Sequence, residues 1–184
     1  MQLDPNQTWV LTEQRAQAET DPRRKANLEI VVKHMKADAR CDIDAVLATL
    51  TNAPKYKWHG EPDDVTLNPE GVAAVAEFYD MAIVRAGAHR LEWIVDRVIA
   101  DDDAVFTEGV MRLAYPGDHT EVGIEVDDPE AYYLSEARTA VVWPIDRETG
   151  LIIGEEIYKS TDEMAGIQGR KITLDQIAPL ENAA

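Results

Sequence analysis

RLEWIVDRVIADDDAVFTEGVMRLAY, residues 90–115, decides the fold class. Both of its halves alternate apolar with polar residues and favour β-branched and aromatic types, and the acidic triplet Asp101 to Asp103 between them is a turn. The stretch therefore reads as a β-hairpin. A second pair follows in the same style, YYLSEARTAVVWPI (132–145) and LIIGEEIYKST (151–161), joined by the turn DRETG (146–150).

Toward the N-terminus the hydrophobic period changes. From Ala26 to Ala39, Leu28, Val31, Val32, Met35 and Ala39 recur at helical spacing. Asp42 suits an N-cap ahead of Ile43, Val46, Leu47 and Leu50, and Asn52 with Pro54 stops that second helix. KYKWH (55–59) is a short strand with Tyr56 and Trp58 on one face. PEGVAAVAEFYDMAIVRAG (69–87) reads as a third helix, with Val72, Val75, Tyr79 and Ile83 along one side and Gly87 as its close. Helices first and hairpins afterwards predict an α+β chain with the helices on one face of a sheet of about five or six strands.

A chain of 184 residues suits one domain. The expected division is a polar N-terminal arm (1–25) that docks through Trp9, a domain (26–162), and a loosely held tail (163–184) with a possible short strand at KITL (171–174). Lys and Arg number 18 against 35 Asp and Glu, a net charge of −17 that repels phosphate backbones and anionic lipid. Nucleic acid and membrane surfaces are thus poor partners. The single cysteine, Cys41, cannot pair within the chain, and MQLDPNQTWVLTEQR lacks a signal-peptide layout, so a cytoplasmic location is expected. No G-x-G-x-x-G, P-loop, nucleophile elbow or H-E-x-x-H occurs, and His34, His59, His89 and His119 are scattered without metal-ligand spacing. For an enzyme this leaves acid–base chemistry without a cofactor or metal.

Three stretches carry a family resemblance: CDIDAVLATL (41–50), YKWHGEPDDVTLNPEGVAAVAEFY (56–79) and RETGLIIGEEIYKS (147–160). Together with the element order over 26–162, they resemble the nuclear transport factor 2-like superfamily, which includes ketosteroid isomerase, scytalone dehydratase, limonene epoxide hydrolase and the polyketide cyclases. The resemblance implies a cone-shaped, curved antiparallel sheet with three helices packed on its concave face around a pocket. In the ketosteroid-isomerase pattern, a tyrosine stands eight residues before the Asp of the second helix and a base sixteen after it. Counted from Asp42, these positions hold His34 and Trp58, so the isomerase pair is absent and His59, one residue along, is the candidate base.

The family register also places Phe106, Glu108, Val110 and Arg112 toward the pocket, with Val105, Thr107, Gly109 and Met111 behind. Glu108 and Arg112 are then either partners in a polar network or a sign that the face is reversed, because an inward charge is costly unless paired. On the last long strand Ile153, Glu155, Ile157 and Lys159 point inward, with Lys159 at the pocket end. Arg138 either binds an anionic or phenolic oxygen or forms a cross-strand ion pair.

The expected catalytic set is thus His59, His34 and Lys159, walled by Tyr56, Trp58 and the residues above. The bland alternatives are a solvated turn histidine at 59, a satisfied core histidine at 34 and a lysine paired with Glu155 on a solvent face. The expected activity is a cofactor-independent lyase or dehydratase acting on a small hydrophobic molecule, aromatic or phenolic and, by analogy, lignin-derived. An isomerase, a polyketide-type cyclase and a non-catalytic binding or assembly protein are the alternatives. A homodimer is expected through an outer sheet face bearing Val105, Met111, Val141 and Trp143.

Overall fold

The computed structural model describes residues 2–60, 68–85, 90–118 and 126–181. Helix α1 (Val10–Ala18) leads to α2 (Pro22–Ala39), which opens as its sequence dictates. The Asp21 side chain accepts from the backbone N–H groups of Arg23 and Arg24, and Pro22 occupies the first turn, where no amide proton is needed. Asp42 caps the short α3 (Ile43–Leu47) by accepting from the Ala45 N–H. Strand β1 (Leu50–His59) precedes α4 (Val72–Tyr79), which runs on as a π-helical stretch over Asp80–Arg85. Its expected close at Gly87 lies outside the described residues.

Strands β2 (Leu91–Ala100), β3 (Ala104–Pro116), β4 (Tyr132–Pro144), β5 (Ile152–Lys159) and β6 (Lys171–Ile172) follow. The fold is α+β: an open, curved sheet in the order β1-β5-β4-β3-β2, with β6 on β4 and the helices against one face. Pairing is antiparallel apart from β1, which runs parallel to β5. Asp96 is an extra residue in β2, standing between the pairs Val95–Gly109 and Arg97–Glu108. The resulting bulge re-aims the end of that strand.

The inner face of β3 carries Val105, Thr107 and Gly109, all buried, and continues through Met111, Leu113 and Tyr115. Phe106, Glu108, Val110 and Arg112 therefore face away from the helices, the reverse of the family register. The charges explain the choice. On that face Glu108 pairs with Arg97 and Arg138, and Arg112 bonds both Glu136 and the buried Glu92, so every charge that would be costly alone meets a partner. Val105, Val141 and Trp143, expected on the outside, belong with the partly buried Met111 to the core under the helices. They are not a surface for a second subunit.

The N-terminal arm bends around the edge strand β2. Leu3 lies with Ala114, Leu134 and Ile172 on the outer side, while Thr8, Trp9 and Thr12 are buried on the inner side. Lys36 and Arg40 cover the Trp9 ring. The tail is fastened more firmly than its composition predicts. Arg170 donates to the carbonyls of Leu134, Glu163 and Ala165, and Leu3 forms a parallel bridge with Ile177.

Candidate active site

Between α2, α4 and the inner face of the sheet lies a cavity of about 120 Å³. Its walls are mostly apolar, with Met35, Phe78, Trp93, Met111 and Val141 among them. The ionisable groups at its surface are Asp38, Tyr79, Tyr115, Glu155, Lys159 and Glu163. They arrive from five places in the chain, which is why no contiguous motif announces them.

Helix α2 contributes two of the interior polar groups, His34 and Asp38, one turn apart and so on one face. His34 is fully buried behind the cavity wall. Its Nδ1 lies 2.6 Å from Thr49 Oγ1, while its Nε2 lies 3.1 Å from Glu155 Oε1 and 3.3 Å from the Tyr79 hydroxyl. Its ring also meets Trp143 edge-on at 5.3 Å. Tyr79 donates to Glu155 Oε1 at 3.2 Å, and the Tyr56 and Tyr79 hydroxyls are 3.1 Å apart. Burial pushes both phenols well above the ordinary tyrosine range, and the nearby Glu155 carboxylate adds to the effect. Both therefore act as proton-bearing donors at neutral pH.

Asp38 has a different environment. Its Oδ1 is shut from solvent and has no hydrogen-bond partner among the described residues. Burial raises its carboxyl from 3.8 to about 7, with Glu155 adding to the shift and His34 opposing it. A carboxyl group there exists in both protonation states near neutrality. Also at the cavity surface, Lys159 Nζ donates to Glu163 at 2.5 Å and sits 4.1 Å from the centre of the Trp58 ring.

The structure brings His34, Tyr56, Trp58, Glu155 and Lys159 into one neighbourhood, although His34 and Tyr56 stand behind the wall rather than on it. His59 is elsewhere. It lies on the outer side of β1, stacked 4.2 Å from the Tyr158 ring, with Nε2 at 3.9 Å from Glu156. The reason is the strand's period of two: Trp58 faces the cavity, so its neighbour faces away.

Phe106, Glu108, Val110 and Arg112 are on the outer face as well, and so is Arg138, which grips Asp96 through two bonds of 2.8 Å and Glu108 through a third of the same length. Ile153 is exposed and does not line the cavity. His89 and His119 lie outside the described residues. Among the described residues no group of three or more His, Cys, Asp or Glu side chains could hold a metal ion.

Sequence reasoning missed Asp38, Tyr79, Trp93 and Glu163. For Asp38 a signal existed, since a carboxylate four residues after His34 shares its helix face. The others depend on long-range packing.

No protein-family model and no curated protein matches this sequence. Solved structures do match its fold. A candidate SnoaL-like polyketide cyclase from Jannaschia sp. CCS1 superposes with a TM-score of 0.59 at 18% identity, covering 77% of this chain and 90% of that one. An LEH-like epoxide hydrolase from M. tuberculosis gives 0.59 at 20% identity over 79% and 92%. A nuclear transport factor 2-like protein from Burkholderia xenovorans LB400 gives 0.56 at 16% identity over 79% and 97%. At such identities the likeness establishes the fold and leaves the chemistry to the site.

Proposed function

We propose, from the premise that this chain has the fold of the nuclear transport factor 2-like superfamily, that it is a cofactor-independent acid–base lyase or dehydratase. Its substrate is a small hydrophobic molecule of about one ring. An engineered apolar cavity of about 150 Å³ accepts benzene, so a space of about 120 Å³ is on the scale of a monocyclic compound. An aromatic or phenolic compound suits the indole and phenyl walls. Lignin-derived phenols are one source of such rings.

The observation that carries this reading is the Asp38 carboxyl, unpartnered at Oδ1, at the surface of a mostly apolar cavity and balanced near pH 7. As a carboxylate it removes a proton from a substrate carbon, the electron pair forms a double bond, and a hydroxyl departs from the neighbouring carbon. The departing hydroxyl takes a proton from the Glu155–His34 pair and leaves as water, which balances the step. Lys159 at the cavity surface holds a phenolic or carbonyl oxygen. His59 has no part in this scheme.

An isomerase or polyketide-type cyclase would use the same abstraction and return the proton elsewhere, so product analysis separates these from a dehydratase. The test is a screen of monocyclic hydroxyl- and carbonyl-bearing compounds for turnover in the presence of a chelator, followed by Asp38→Asn. Turnover that survives this substitution overturns the assignment. Tight binding without turnover makes the chain a carrier. A cytoplasmic homodimer completes the reading. Ile94, Ile99 and Tyr158, exposed on the outer face of the sheet, support self-association, and sedimentation velocity tests it. No helix among the described residues is long and apolar enough to cross a membrane.

A further inference from the structure

The hydrogen bonds around the buried His34 ring determine where its protons lie. The Thr49 hydroxyl donates to the Val46 carbonyl at 2.6 Å. A hydroxyl has one proton, so toward Nδ1, 2.6 Å away on its other side, Thr49 offers a lone pair. Nδ1 therefore carries a hydrogen. A neutral ring with its hydrogen on Nδ1 presents a lone pair at Nε2, and that atom faces Glu155 Oε1 at 3.1 Å. Two lone pairs opposed at this distance in a site shut from water would forfeit a hydrogen bond on each side. Tyr79, 3.3 Å from Nε2, gives its one proton to Glu155 Oε1 and so offers Nε2 only a lone pair. With that donor committed, a proton lies between Nε2 and Oε1, bound to one or the other.

We propose that Thr49 is a positioning residue: by setting the His34 tautomer it keeps a transferable proton at Glu155, on the cavity wall. Thr49 is well placed for this. It sits between α3 and β1, fully buried, and its carbonyl accepts from the Ile152 N–H at 3.0 Å, so the end of β5 pins it. The other groups facing the pair do not compete for the role. Tyr79 and Tyr56 keep their protons, Trp143 presents an aromatic ring, and Asp38 lies one turn further along α2. The hydroxyl is what matters, so serine at this position serves and valine, of the same shape, does not.

The proton placement rests on the acid–base reading only for its consequence in turnover, and it is measurable without substrate. Nitrogen-15 spectra of the full chain resolve the His34 ring, identified by its through-space contact to Trp143. The expected native pattern has a directly bonded hydrogen on Nδ1. Thr49→Val should lose that signal, and Thr49→Ser should retain it. Glu155→Gln should keep the hydrogen on Nδ1 while Nε2 becomes a bare acceptor for the new amide.

A native ring lacking hydrogen on Nδ1 overturns the proposal, and so does a Thr49→Val ring whose pattern matches the native one. Should Thr49→Val not fold, the native and Thr49→Ser spectra decide alone, since either one lacking the Nδ1 hydrogen overturns it. Once a substrate is found, Thr49→Val should shift the pH profile of kcat with KM little changed, and Thr49→Ser should restore the profile. An unshifted profile also overturns the proposal. Expected spectra with no turnover on any compound would instead sink the enzymatic reading and leave the tautomer assignment standing.

Discussion

His34 Nε2 and Glu155 Oε1 lie 3.1 Å apart although 121 residues separate them in the chain. One comes from a helix and the other from the last long strand, and both side chains are almost wholly enclosed. Such a pair is held by the rest of the fold, and it penalises the loss of either partner more than the loss of both.

That asymmetry is measurable. Glu155→Leu alone should cost about 3–5 kcal/mol in urea unfolding, because it strands a buried imidazole. His34→Leu combined with Glu155→Leu should recover a substantial part of that loss. Purely additive single and double substitutions would show that the pair is not coupled.

Asp38 links stability to pH with an unusual sign. Its folded value of about 7 lies above the ordinary 3.8, so the folded state holds a proton that the unfolded chain has released. The stabilisation from that proton is complete below pH 3.8 and is lost as pH rises through about 7, up to about 4 kcal/mol across the window. Asp38→Asn should flatten this slope and be more stable than the native chain above neutrality. Turnover should fall at least about 100-fold in the same variant. Unfolding titrations at several pH values check the first outcome and initial rates the second.

His59 and Lys159 should behave oppositely. His59→Ala, changed on the outer face, should leave turnover where it was. Lys159→Met removes the ammonium that meets Glu163 and Trp58, and should raise KM and, because the pair is mostly enclosed, cost more than the ~1 kcal/mol of an exposed ion pair. Steady-state kinetics of both variants test this, and an inactive His59→Ala would contradict the placement.

Gly154 lies where β5 meets β1. A methyl group there would come within 1.7 Å of the Lys55 carbonyl oxygen, backbone against backbone, with no side chain free to yield. Gly154→Ala should therefore cost about 1–3 kcal/mol or more and loosen the strand that carries Tyr56 and Trp58. Gly169→Ala, with nothing within 4 Å, is the control. Equal melting temperatures for the two would refute the steric argument.

Much of the architecture was legible. The hairpin at 90–115 emerged as β2 and β3, Asp42 capped the helix it was expected to cap, and Glu155, Ile157 and Lys159 face inward. His59 could have been placed correctly, because once Trp58 is inward a period of two turns its neighbour out. On β3 alternation alone was ambiguous, since both faces carry apolar residues. The charges of Glu108 and Arg112 held the answer, and the family register pointed the other way.

The sequence by itself determined the order of helices and strands, the Asp42 cap and the net negative charge, because these follow from local backbone preferences and summed charge. Only the tertiary structure decided which carboxyl group burial pushes up toward neutrality and which histidine is enclosed. Proton affinity depends on the water excluded and the partners brought close, and here those partners come from helices and strands far apart in the chain. Asp38 looks no different from any other aspartate until α4 and the sheet close over it.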